Sequence, residues 1–140
     1  MKAHRTITRY ALVLLIGLAA AGCDDVKAPP AGQGDLLPAE NYPRIVVLDT
    51  LSDHLRFDAP VVERPTDTRP MRLAVPVRSI EDRYPVAIQY RFEFYDASGR
   101  RLSDSGWRYE ELTPRVQTQL TAGAMRTDAS DWRLIVRSAR

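Results

Sequence analysis

Cys23 is the only cysteine of this 140-residue sequence, and its thiol is the side chain best placed for a covalent reaction. It follows a positively charged start and an apolar run over residues 10–21. A short apolar region that ends in small residues is the pattern of a secretory signal peptide. The run of about 12 residues is shorter than the ~20 that a membrane-spanning helix needs. We therefore predict that residues 1–22 form a signal helix that is removed by cleavage between Gly22 and Cys23.

The residues before Cys23 resemble the bacterial lipobox, in which the cysteine thiol receives a diacylglycerol. Residues 19–22 are Ala-Ala-Ala-Gly, and such small side chains let the chain lie extended in a peptidase groove. Ala20 departs from the pattern, because lipoboxes most often carry Leu at that place. The resemblance implies lipidation of Cys23 and makes the membrane a partner through that lipid. The alternative is an ordinary signal peptide followed by an unmodified cysteine.

Two aspartates, Asp24 and Asp25, directly follow the predicted lipidation site. They resemble the inner-membrane retention signal of enterobacterial lipoproteins, in which an Asp follows the lipidated cysteine. The alternative is that both residues are simply the polar start of a linker. The sequence therefore predicts a periplasm-facing protein of the bacterial cell envelope and leaves inner against outer membrane undecided.

The charge of the predicted mature protein is close to neutral. Removing Lys2, Arg5 and Arg9 from the 20 basic residues leaves 17 against 18 acidic ones. A near-neutral chain gives no reason to expect binding to nucleic acid. With one cysteine no internal disulfide forms, so the apolar core must stabilise the domain.

The chain divides into a linker and a domain. Residues 23–43 are rich in Pro and Gly and show no apolar periodicity, which predicts a disordered linker that lifts the domain off the membrane. From residue 44 to residue 140, short alternating segments follow one another. We expect a single β-domain there.

The clearest strand pattern lies over residues 86–95, where apolar and mostly polar side chains alternate. One face carries Val86, Ile88, Tyr90, Phe92 and Phe94. Alternation with period two is typical of a half-buried strand, and its length predicts a central position in a sheet. Residues 96–99 (Asp-Ala-Ser-Gly) then predict a type I turn.

Further strands are predicted on both sides of this segment, over residues 44–49, 54–58, 60–63, 71–78, 100–103 and 131–137 and around residues 107–109 and 116–120. The segment 71–78 contains Pro76, which lacks an N–H, so we expect an edge strand or a bulge there. The segment 131–137 is predicted to be an inner strand. About seven to eight short strands favour an all-β, immunoglobulin-like antiparallel β-sandwich, with a small open barrel as the alternative.

Residues with catalytic potential are few and poorly arranged. Ser52, Asp53 and His54 include the residue types of a hydrolase triad, but neighbours on an extended chain point to opposite sides. The acid pair Glu110 and Glu111 faces apart for the same reason, and too few His and Cys residues are present for a zinc site. We therefore predict no enzyme activity, no cofactor and no metal site.

The polar face of the segment 86–95 offers a candidate partner surface made of Arg91, Glu93 and Tyr95. The alternative for these three residues is an ordinary solvated face. Trp107 lies in a later strand segment, and we predict that its side chain belongs to the core, with a contact surface as the alternative.

Residues 89–99 (Gln-Tyr-Arg-Phe-Glu-Phe-Tyr-Asp-Ala-Ser-Gly), followed by Ser-Gly-Trp-Arg at 105–108, resemble the YcfL family of bacterial lipoproteins. Phe94 stands where that family often has Trp. The resemblance implies a periplasm-facing β-sandwich of unknown biochemical role, and it carries over no catalytic residue. Members tend to be encoded near a lipoprotein activator of peptidoglycan synthesis, which suggests envelope work.

These observations together predict a lipid-anchored envelope protein with a non-catalytic interaction or accessory module. The expected partner is another envelope protein or the cell wall. Two alternatives stay open: a structural protein without a dedicated partner, and a small periplasmic hydrolase.

Overall fold

The computed structural model of the protein describes residues 42–139. The predicted signal peptide, the lipidation site Cys23 and the aspartates Asp24 and Asp25 lie outside these residues, as does nearly all of the predicted linker. No helix in the described part of the chain is long and apolar enough to cross a membrane.

Nine strands and one short 3-10 helix (Leu51–Asp53) form residues 42–139. The strands are β1 (Ile45–Val47), β2 (Leu55–Phe57), β3 (Val61–Glu63), β4 (Arg72–Ser79), β5 (Val86–Tyr95), β6 (Arg101–Asp104), β7 (Arg108–Leu112), β8 (Gln117–Gly123) and β9 (Asp131–Ser138). Most predicted segments coincide with a strand to within one or two residues, and the count exceeds the expected seven to eight.

The strands form two sheets, which confirms the predicted β-sandwich. In the five-stranded sheet β9 lies between β1 and β5, while β6 and β7 pair with different halves of the other edge of β5. In the four-stranded sheet β4 pairs with β8 on one side and with β2 and β3 on the other. The predicted central place of β5 and inner place of β9 are thus confirmed. One pair departs from the antiparallel expectation, because β1 runs parallel to β9.

The sequence predicts an edge strand or a bulge at Pro76. The edge strand is wrong, because β4 is paired on both sides, and the register with β8 runs through Pro76 without a bulge. β2 pairs with residues 77–79 and β3 with residues 72–74, so the ladder on that side is interrupted opposite Pro76. The Pro76 carbonyl accepts a hydrogen bond from the Asp58 N–H on the same side. In an antiparallel strand the N and O atoms of one residue point the same way, so the missing N–H also faces this interruption.

The core lies between the two sheets and is built from their alternating inward side chains. Its most deeply buried members include Ile88, Phe92, Phe94, Val75, Val77, Leu112, Leu120, Leu134 and Val136. The ring of Phe92 lies 6.1 Å from that of Tyr90, edge to face, and 6.2 Å from that of Trp132. Such contacts between aromatic rings add to the free energy of burial.

The turn between β5 and β6 forms as predicted, with the Gly99 N–H donating to the Asp96 carbonyl at 3.0 Å. The Asp96 carboxylate also accepts bonds from the Ser98 N–H (2.9 Å) and from the Arg100 N–H (3.0 Å). The Ser98 hydroxyl and the Arg100 N–H hold the pKa of Asp96 below its usual value. The ionised carboxylate is therefore part of the turn.

We predict that this turn contributes to a loss of stability in acid. A carboxyl whose pKa is lowered by folding adds stability above its unfolded pKa, and this contribution is lost as the pH falls through the folded pKa. The melting temperature of the wild-type chain should therefore fall as the pH drops below about 4, and Asp96→Asn should fall less steeply. Thermal melts across the acid range measure both slopes. Equal slopes would contradict the role given to Asp96.

Candidate functional site

The solvent-facing side of the five-stranded sheet carries the polar side chains of β5. Ile88, Phe92 and Phe94 point into the core, so residues of the opposite parity point outward. We call this side the outer face; it includes Gln89, Arg91, Glu93 and Tyr95 of β5, Arg133, Ile135 and Arg137 of β9, and Tyr109 of β7, which lies opposite Gln89. The structure thus brings Arg91, Glu93 and Tyr95 together, and their role in binding stays a prediction.

Glu93 is the centre of a polar network on the outer face, although only 4% of the residue is exposed. Its carboxylate lies 2.9 Å from Nη2 of Arg91 and 3.4 Å from Nη2 of Arg101. It also accepts a hydrogen bond of 2.7 Å from the Tyr95 hydroxyl. A buried carboxylate needs such partners, because an unpaired charge out of water is costly. The network therefore fixes the side chains of this half of the face.

Tyr95 connects this network to β9. The hydrogen bond to Glu93 raises the pKa of the Tyr95 hydroxyl, with partial burial and the nearby negative charge acting in the same direction. The guanidinium of Arg133 lies over the Tyr95 ring, with Cζ 5.7 Å from the centroid. An open depression of about 550 Å³ lies beside these two residues, at the end of the sheet near the β5–β6 turn.

A second group lies toward the other end of the outer face; we call it the guanidinium–indole cluster and define it as Gln89, Arg91, Trp107 and Arg137. Cζ of Arg137 lies 3.9 Å from the centroid of the Trp107 ring, and Cζ of Arg91 lies 4.8 Å from it. Nε and Nη2 of Arg137 both donate to Oε1 of Gln89, at 3.0 and 2.7 Å. Cation–π contacts and these bonds together hold two guanidinium groups against one indole.

The prediction of a core position for Trp107 is wrong, because the residue is 37% exposed and contacts the outer-face arginines. Trp107 precedes β7 and follows Gly106, whose φ of 68° belongs to the left-handed region. This turn carries the indole onto the outer face. Sequence analysis also missed Arg133 and Arg137, although the alternation in residues 131–137 already separated them from the buried Trp132, Leu134 and Val136.

His54 lies on the surface and has a side-chain partner. Its Nδ1 lies 2.6 Å from Oε1 of Glu81, which is 27 positions away along the chain. Within the described residues this is the only side-chain partner of His54, and neither Ser52 nor Asp53 completes a relay with it. The Glu81 carboxylate therefore orients the His54 ring.

Asp82, Glu110 and Glu111 also lie in separate places. Asp82 pairs with Arg115, while Glu111 lies within 3.4 Å of the Tyr109 hydroxyl on the outer face. Glu110 lies opposite the inward-facing Ile88, so the two adjacent glutamates do point to different sides. Residues 42–139 contain no group of three or more His, Cys, Asp or Glu side chains that could hold a metal ion.

Two solved structures share the fold. The structure of Campylobacter jejuni cj0090 is 16% identical with a TM-score of 0.58, and the alignment covers 69% of this chain and 98% of that chain. A DUF1425 family member from Shewanella sp. pv-4 is 25% identical with a TM-score of 0.53, covering 61% and 79%. No curated protein matches the sequence.

The family comparison covers nearly all of the β-domain. Residues 49–138 match the model described as "Protein of unknown function (DUF1425)". Neither this description nor the two structures name a catalytic activity. Because the match spans more than half of the sequence, the chain belongs to the DUF1425 family.

Proposed function

We propose that this protein is a lipid-anchored component of the bacterial cell envelope whose β-sandwich is a non-catalytic interaction module. The lipobox-like sequence ending at Cys23 supports the anchor, and the Pro- and Gly-rich residues 24–43 supply the reach. The resemblance of residues 89–108 to the YcfL lipoproteins supports this location. The linker then lets the domain present a binding surface to the periplasm within a limited distance of the membrane.

The interaction role rests on which side chains lie on the outer face and on the contacts that hold them in place. Aromatic and arginine side chains are the residue types enriched at the centres of protein interfaces. Here Trp107, Tyr95 and Tyr109 share one sheet face with several arginines, and contacts within the face already order many of them. Side chains that are ordered before binding lose less conformational entropy when a partner arrives.

The anchor predicts that Cys23 carries the lipid. Cells grown with an alkyne analogue of palmitate should give a labelled wild-type protein, and the Cys23→Ser variant should be unlabelled because serine offers no thiol for the diacylglycerol. Gel fluorescence after click coupling measures the label. A labelled serine variant, or an unlabelled wild-type chain that is expressed and exported, would contradict the anchor.

The interaction role predicts a partner that contacts the outer face. A photoreactive phenylalanine analogue replaces Tyr109 on this face, and in a matched chain it replaces Tyr84, which is 75% exposed in the loop before β5. Irradiation of living cells should give a discrete crosslinked species from position 109 and none from position 84. The same species from both positions, or none from position 109, would sink the proposal that this face docks a partner.

A further inference from the structure

Two arginines of the outer face have no carboxylate partner at ion-pair distance in the described part of the chain. Four other arginines there, Arg44, Arg100, Arg115 and Arg126, each pair with an aspartate. On the outer face Glu93 pairs with Arg91 and Arg101. No carboxylate within residues 42–139 lies at ion-pair distance from Arg133 or Arg137. The face therefore has positive charge available for an incoming anion.

The contacts of Arg137 orient its guanidinium for such an anion. Its Nε and Nη2 donate to a single oxygen of Gln89, and its plane is held near the Trp107 ring. Within residues 42–139 the other N–H groups of this guanidinium have no protein acceptor. A planar guanidinium fixed in this way matches the two oxygens of a carboxylate better than a flexible ammonium group does.

Arg91 adds a second incompletely used donor to the same cluster. One of its Nη atoms binds Glu93, whereas its Nε is buried without a hydrogen-bond partner. A buried donor that lacks a partner costs free energy. An incoming acceptor that rearranges Arg91 and binds this N–H would recover the cost, so the cluster favours such an acceptor.

We propose that the outer face binds the carboxylates of an extended acidic segment of a partner protein; this rests on the proposed interaction role. Arg133 and Arg137 are four residues apart on one strand, so their Cα atoms lie about 13 Å apart. An extended peptide alongside β9 places carboxylates four residues apart at that same spacing. The half-buried Ile135 lies between the two arginines and gives an intervening side chain an apolar contact.

The surroundings favour a carboxylate peptide over a phosphate group. Phosphate sites commonly use free backbone N–H groups at helix N-termini or in concave loops. Around Arg133 and Arg137 the backbone is engaged in the pairing of β9 with β5 and β1. The site is an open sheet face that offers side-chain donors over an extended length.

The test measures binding of short labelled peptides to the full mature chain by fluorescence anisotropy. One peptide carries two glutamates separated by three residues, and its control carries glutamines at both places. We expect the glutamate peptide to bind at least about tenfold more tightly, because only its carboxylates can form charge-assisted hydrogen bonds with the two guanidinium groups. Equal affinities of the two peptides would overturn the proposal.

Three variants separate the arginine fork from simple charge. Arg137→Gln should weaken binding of the glutamate peptide about tenfold, and Arg137→Lys should restore little, because lysine keeps the charge without the planar fork. Arg126→Gln is the matched control, since Arg126 pairs with Asp128 in the loop before β9. Thermal melts check that each variant is folded, and Arg133→Gln serves if the Arg137 variants are not. If Arg137→Lys bound the glutamate peptide as tightly as wild type, the planar guanidinium would not be needed, and that part of the proposal would be wrong.

Competition distinguishes the ligand sources. The acidic peptide would be overturned as occupant if inorganic phosphate displaced it at equal concentration. The same holds if the protein bound phosphatidylglycerol vesicles but not the peptide. A crosslinked partner at position 109 together with charge-independent peptide binding would leave the interaction module in place and refute only its acidic ligand. Loss of the crosslink together with charge-dependent binding would refute the docking role instead.

Discussion

Replacing Phe92 with alanine should lower the free energy of unfolding by about 3–5 kcal/mol, the usual cost of removing a large aromatic side chain from a core. Phe92 is fully buried at the centre of β5 and contacts the rings of Tyr90 and Trp132. These two neighbours belong to the paired strands β5 and β9, so they cannot collapse far into the cavity that alanine leaves. A loss of this size is a large part of the stability of a small domain.

Urea denaturation, followed by circular dichroism, measures this loss. Phe92→Leu is the conservative variant, expected to cost less than about 1.5 kcal/mol because it keeps most of the volume. Tyr84→Ala is the surface control, expected to stay within about 0.5 kcal/mol of wild type. A Phe92→Ala chain that unfolds at the same urea concentration as the control would contradict the core position of Phe92. If the alanine variant does not fold, the leucine variant still ranks the site against the control.

The burial of Phe92 could be predicted from the sequence because it depends on local alternation alone. Ten residues of β5 keep a period of two, which separates the core face from the outer face without knowledge of any partner strand. The inward positions of Trp132, Leu134 and Val136 in β9 follow in the same way. Alternation therefore predicts which side of a strand is buried.

The outer-face cluster could not be predicted because it depends on pairings between distant segments. Arg137 reaches Gln89 only because β9 pairs with β5 in a register that places these two residues opposite each other. Trp107 joins them from a turn outside the ladder, where period two gives no information. Register follows from the whole packed sheet, so no local pattern reports it.

Pro76 shows a similar limit of local rules. A proline excludes one hydrogen bond, and the sequence predicts an edge strand or a bulge as the solution. In the structure the neighbouring strand is interrupted instead. β2 and β3 pair with different parts of β4, and Pro76 lies opposite the connection between them.

Replacing Glu93 with glutamine should both destabilise the domain and lower the pKa of Tyr95. The carboxylate is nearly buried and is shared by Arg91, Arg101 and the Tyr95 hydroxyl. Because both arginines remain partly exposed, water compensates some of the loss, and we expect about 1–3 kcal/mol rather than the larger cost of a fully buried pair. Glutamine keeps the shape of the side chain, so the loss reports charge and not volume.

The titration of Tyr95 gives a second measurement on this variant. If Glu93 only held the fold together, Glu93→Gln would leave the pKa of Tyr95 unchanged. The hydrogen bond to Glu93 and its negative charge both raise the pKa of Tyr95, so Glu93→Gln should return it toward 10.0. Near-ultraviolet absorbance against pH measures the titration, and Tyr95→Phe identifies its contribution. Glu111→Gln is the matched control, because Glu111 acts on the pKa of Tyr109.

The sign of the effect on stability follows from the same shift. A tyrosine whose pKa is raised by folding contributes stability that is fully present below its unfolded pKa and is lost as the pH rises through the folded pKa. Wild type should therefore lose stability above pH 10 more steeply than Glu93→Gln, in which Tyr95 titrates nearer to its unfolded value. Parallel alkaline limbs for the two chains, with an unchanged Tyr95 titration, would show that Glu93 does not hold this hydroxyl. The ordering of the outer face would then have to come from the arginine–aromatic contacts alone.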